Sequence, residues 1–144
     1  MRYLAILGLG TLACWGHPRL NVAITIGDMR ALNFALARYA EACGGYPEDL
    51  NNLRDGSSDG GCEAFGGLHK DILSGTHYGY RWAYEVSKPV PTSPKHFGEY
   101  ELRATWMGDE EQDAQEGRSF WTSSAGNIRM AWGHQAGPTD EVLK

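Results

Sequence analysis

Residues 29–50 constrain the fold more than any other stretch: a run of helical period, MRALNFALARYAEAC, passes directly into GGYPEDL. Apolar or small residues at Met29, Leu32, Leu36, Tyr39 and Cys43 recur at steps of three, four, three and four, which sets them on one face of a helix. Asp28, Arg38 and Glu41 fall off that stripe. Gly44 or Gly45 supplies the left-handed conformation that closes a helix, and Pro47 pushes Tyr46 into an extended one, so a helix is predicted to end at the glycine pair. A helix with one apolar stripe requires a surface to cover.

The second half of the chain supplies one, because four segments there alternate. In GYRWAYEV, Tyr80, Trp82, Tyr84 and Val86 share a face opposite Arg81 and Glu85; in EYELRATW, Tyr100, Leu102, Ala104 and Trp106 oppose Glu99, Glu101, Arg103 and Thr105. RSFWT (118–122) and NIRMAW (127–132) follow, joined by Ser123-Ser124-Ala125-Gly126 as a hairpin turn. Ile128, Met130 and Trp132 are expected to face the helix. The predicted class is α+β: an N-terminal amphipathic helix packed on a four-stranded antiparallel meander sheet.

At 144 residues and 42% hydrophobic content, the chain is expected to form one globular domain over residues 17–144 after a separate segment 1–16. A formal charge of −5 without a Lys/Arg run argues against nucleic acid as a partner, because phosphate binding needs clustered cations. The stretches DGSSDGG (55–61) and KPVPTSPKHFG (88–98) read as loops from their glycine, serine and proline content.

Within residues 1–16, Arg2 precedes an apolar run from Leu4 to Ala13, the length of a secretory signal core and too short to span a bilayer. Cys14 directly after Leu12-Ala13 is similar to a bacterial lipobox, with Thr11 where leucine is usual; the alternatives are an ordinary signal cut near Gly16 or no signal. The expected location is extracytoplasmic, periplasmic or at the cell surface, with membrane attachment through lipid on Cys14. Cys43 and Cys62 then remain as a pair that can form a disulfide in an oxidising compartment. Closing roughly 20 residues contributes about 3 kcal/mol, and two buried free thiols are the alternative.

IGDMRALNFALARYAEACGGYPEDLNNL (26–53), LHKDILSGTHYGYRWAYEV (68–86), YELRATW (100–106) and GRSFWTSSAGNIRM (117–130) together resemble the globular part of type IV pilin-like proteins and type II secretion pseudopilins. The resemblance lies in a helix ending at a glycine-tyrosine-proline loop, a leucine-rich segment, and paired strands closing with Arg-x-Phe-x-Thr, a turn and Gly-x-Ile-Arg. It covers about residues 20–135 and implies a pilin-like head, with other pilin-like or secretion-system proteins as partners. The long apolar helix that begins a pilin has no counterpart here. Either such a head is re-anchored through Cys14, or the start lies upstream and residues 4–13 continue a longer helix kinked at Pro18.

No catalytic constellation is legible. The five histidines, at 17, 69, 77, 96 and 134, form no metal or haem motif, and no nucleophile elbow is present, so no cofactor, metal site or enzymatic activity is expected. His69 and Asp71 read as the solvated face of a short helix. Asp109, Glu110, Glu111, Asp113 and Glu116 offer oxygen ligands of the kind calcium takes, but match no EF-hand spacing; a solvated connection that guards a sheet edge is the simpler reading. Trp121, pointing opposite to Phe120 and Thr122, is the candidate interaction residue on the outer face, the alternative being that it packs under residues 88–98. The expected function is structural or interactive, within or derived from a type IV pilus or type II secretion assembly. A stand-alone lipid-anchored binding module is the alternative, and an enzyme the third reading.

Overall fold

The computed structural model describes residues 18–53, 70–108 and 117–144. Helix α1, Pro18–Cys43, opens with proline at a position whose N–H has no helical acceptor to lose. It ends where Gly44 takes a φ of 79° and its N–H donates to the Ala40 carbonyl at 2.9 Å. Gly45 is required for a different reason: a Cβ there would stand 2.9 Å from the Cβ of His96 and 3.0 Å from the Phe97 carbonyl oxygen. That close approach lets β1 (Tyr46–Pro47) pair with His96 and Phe97.

After β1 come a 3-10 turn at Leu50–Leu53, the short helix α2 (Lys70–Leu73) and β2 (Thr76–His77). Four longer strands follow: β3 (Tyr80–Val90), β4 (Ser93–Trp106), β5 (Arg118–Ser123) and β6 (Arg129–Trp132). β7 (Glu141–Val142) completes an antiparallel sheet of order β2-β3-β4-β5-β6-β7, with β1 attached to β4.

This corrects the expected architecture. The fold is α+β, but among the described residues the sheet has seven strands instead of four. The three additional strands are two residues each, too short to leave an alternating pattern in the sequence. A second correction concerns residues 88–98, expected as a loop: β3 continues to Val90 and β4 starts at Ser93, so the segment is the tip of a long hairpin. Among the described residues, β2 flanks β3 only at Tyr80 and Arg81, so Pro89 sits in an edge position where its missing N–H breaks no ladder bond. The register shifts beside it, between Pro89 and Val90.

One core joins the two layers. Met29, Leu32, Leu36 and Tyr39 of α1 are fully buried with Leu53, Tyr80, Leu102 and Phe120. Asn33 stitches helix to sheet by polar contact: its Oδ1 accepts from Tyr100 at 2.9 Å and its Nδ2 donates to Thr122 Oγ1 at 2.9 Å. Ile128 is buried and Met130 packs against the core, whereas Trp132, expected to face the helix with them, is 45% exposed. It stacks on Arg118 at the end of the sheet instead.

Candidate interaction surface

Helix α1 has two contrasting sides. Its inner side carries the buried stripe; its outer side presents Leu20, Ala23, Gly27, Arg30, Ala31, Phe34, Ala37, Arg38 and Glu41, all exposed. Phe34, at 69% exposure, is the most open of the large apolar side chains. Arg38 and Glu41 pair along the helix at 3.6 Å, a surface contact of little energetic consequence. An outward helix face is ordinarily dominated by charge, and this one is mostly small and apolar. Gly27 adds to the contrast. Mid-helix glycine costs about 1 kcal/mol relative to alanine, yet among the described residues nothing lies within 4 Å of where its Cβ would be. Among the described residues, no packing calls for glycine at this position.

Around Trp121 the outer face of the sheet is covered. Trp121 points away from the helix as its alternation predicts, but it is only 6% exposed, packed with Ala131 and Ala136, and its Nε1 donates to Glu101 Oε2 at 3.2 Å. The cover is the C-terminal segment, not residues 88–98. Asp140 holds that segment in place: its Oδ2 accepts from the Gly137 amide at 2.7 Å, its Oδ1 lies 3.2 Å from His134 Nε2, and its carbonyl accepts from Arg129 Nη1 at 2.6 Å. The amide of Gly137 and then the bond to His134 hold the Asp140 carboxyl below its ordinary pKa, and the same carboxylate raises that of His134. Beside Trp121, Arg103 bridges Glu101 and Glu85.

Compared with family models, curated proteins and solved structures, the chain matches none.

Two buried histidines act as joints between elements. His77 places Nε2 3.4 Å from Asp28 Oδ2 on α1 and Nδ1 3.8 Å from Asp71 Oδ2 on α2, while the Asp71 side chain stays 47% exposed. His96 places Nδ1 2.6 Å from Ser93 Oγ and Nε2 3.3 Å from the Tyr39 hydroxyl. Serine and imidazole are partners in nucleophilic catalysis, but there a third group orients the base from its far nitrogen. Here the serine is three residues away in the same hairpin and the far nitrogen meets a buried phenol. The arrangement joins the hairpin tip to the end of α1.

Tyr46, Tyr84 and Tyr100 cluster nearby, with ring centroids 4.7 Å apart for Tyr46 and Tyr100 and 5.9 Å for Tyr84 and Tyr100. Burial raises all three phenol pKa values, and the Tyr84 hydroxyl donates to the Pro47 carbonyl at 2.8 Å. They are neutral packing groups at any physiological pH.

Of the residues singled out from sequence, Cys43 is half-buried against the core and disulfide-bonded. Cys62 and Cys14 lie outside the described residues, as do Asp109 to Glu116 and residues 55–61. Among the described residues, no three His, Cys, Asp or Glu side chains converge as a metal site would require, and no helix is long and apolar enough to cross a membrane. The sequence reading passed over Phe34 and Gly27, although both lie off the apolar stripe on the same helical wheel.

Proposed function

We propose that this chain is an extracytoplasmic structural or interaction protein, related to type IV pilus or type II secretion assemblies, that acts through the outward face of α1. The order and spacing of its motifs support the relationship. The observation that carries the choice of surface is Gly27: a residue that weakens the helix, with open space above it among the described residues, in line with an exposed Phe34. Small residues let a second backbone approach a helix closely, and an exposed aromatic beside such a strip serves as an anchor. The protein binds other proteins and transforms no substrate.

Acylation of Cys14, motivated by its place after a short apolar run, supports the second reading, a lipid-anchored binding module that does not assemble. The two readings share the contact surface and differ in the partner.

Photo-cross-linking in the native cell tests this. A benzophenone side chain replacing Phe34 is expected to cross-link to pilin-like or secretion-system proteins, while the same group replacing Ala83, exposed on the sheet, is not. Cross-linking to a single unrelated envelope protein favours the binding module. Identical patterns from the two positions, or none from position 34, defeat the proposal.

A further inference from the structure

Three elements meet at His77. The residue belongs to β2, its side chain is buried, and its two ring nitrogens face carboxylates from two different helices. Nε2 lies 3.4 Å from Asp28 Oδ2 of α1 and Nδ1 3.8 Å from Asp71 Oδ2 of α2. The Asp28 oxygen is itself buried, whereas the Asp71 side chain is half exposed. In its own hairpin His77 meets the Tyr78 ring, with centroids 4.3 Å apart, and Tyr80, its ladder partner. Lys70 of α2 and Arg81 of β3, the neighbouring cations along the chain, are exposed.

The two carboxylates decide which form of the ring fits. A neutral imidazole carries one N–H and one lone pair, so between two carboxylates it turns the lone pair on one of them. The imidazolium is a donor at both nitrogens and suits both neighbours. Burial penalises the cation, but the same low dielectric strengthens its attraction to the carboxylates. Two such neighbours, one still in contact with water, outweigh the burial of a single ring. His96 shows the contrast. Its nitrogens meet the hydroxyls of Ser93 and Tyr39, which donate or accept as required. The carboxylates beside His77 stand at opposite nitrogens, so the three side chains do not converge as metal ligands.

We infer that His77 is a pH-sensitive joint: the folded chain holds it as the imidazolium between Asp28 and Asp71, and loss of that proton loosens α2 and β2 from α1. A proton bound more tightly in the folded chain than in the unfolded one contributes stability that is complete below the ordinary histidine value of about 6.5 and is lost as pH rises through the folded value. The change is local. Leu102 and Phe120, fully buried in the sheet, are held by apolar packing that does not titrate. The joint uses none of the outward residues of α1, so it stands or falls apart from the role given to that face.

Histidine ring resonances of the ¹³C,¹⁵N-labelled full chain, assigned through the backbone and followed from about pH 5 to 9, provide the test. His77 is expected to titrate about one pH unit above 6.5. Asp28→Asn should lower that midpoint by about one unit, and Asp71→Asn, at the more exposed carboxylate, by less than about half a unit. The N–H groups of Ser74 and Gly75 close α2 on the carbonyls of Lys70, Asp71 and Ile72. Their exchange, corrected for the intrinsic rate, should rise about tenfold across the His77 midpoint while Leu102 keeps its protection. His77→Gln should remove that step. A His77 midpoint at or below 6.5, a midpoint unmoved in every folded aspartate variant, or a step at Ser74 and Gly75 that is absent from the parent chain or persists in His77→Gln would overturn the inference.

Discussion

The two faces of α1 are built from one continuous helix and obey opposite rules. On the inner face Met29, Leu32, Leu36 and Tyr39 are fully buried, and Asn33 satisfies its polar atoms against Tyr100 and Thr122 across the layer boundary. On the outer face a phenylalanine stands exposed, and a glycine leaves a gap that nothing among the described residues fills. The inner face is explained entirely by the fold. Among the described residues the outer face has no packing that offsets the cost of its glycine, the pattern expected of the contact surface proposed above.

Substitutions can break this contrast. Leu36→Ala, at a fully buried position, is expected to destabilise the protein by about 2–5 kcal/mol in chemical denaturation. Asn33→Ala should cost about 1–3 kcal/mol, because it strands a tyrosine and a threonine hydroxyl at the layer boundary. Gly27→Ala should raise stability by about 1 kcal/mol, since a Cβ there meets open space. Phe34→Ser should change stability by no more than about 0.5 kcal/mol. A large loss at Phe34, or a loss at Gly27, would mean that the outer face is packed within the chain after all.

A smaller effect concerns the segment that closes the other side of the sheet. The raised pKa of His134 makes its contribution complete below its ordinary 6.5 and lost as pH rises through the raised value. The lowered pKa of Asp140 makes its contribution complete above its ordinary 3.8 and lost as pH falls through the lowered value. Amide exchange at Gly137 is therefore expected to be most protected, relative to the intrinsic rate, between those two values. Asp140→Asn should flatten the profile; a profile unchanged in that variant would remove Asp140 as the anchor of the cover over Trp121.

Much of the core was legible because its signals are local. The three-four spacing of Met29, Leu32, Leu36 and Tyr39 and the alternation from Tyr80 to Val86 each report a face without knowledge of the rest of the chain. The two-residue strands at Tyr46, Thr76 and Glu141 were not legible, since pairing there is decided by what lies alongside. Prolines at 89, 91 and 94 suggested a loop because proline is excluded from strand interiors, a rule relaxed at an edge and beside a register shift. Trp121 looked open because the side chains packed with it are Ala131 and Ala136, small residues that leave little apolar signature. Phe34 could have been read from the helical wheel. The open space over Gly27 among the described residues could not, since it depends on neighbours that only the folded chain brings near or leaves out.

Gly27→Leu tests most directly whether the outward face of α1 is a contact surface. The added side chain projects into open space and improves helix propensity, so thermal stability is expected to hold or rise. Recovery of the cross-linked partner from the native cell, measured beside that stability, is expected to fall by about tenfold or more because the partner backbone can no longer approach. A Gly27→Leu protein that is stable and still captures its partner at the level of the parent chain would contradict the claim.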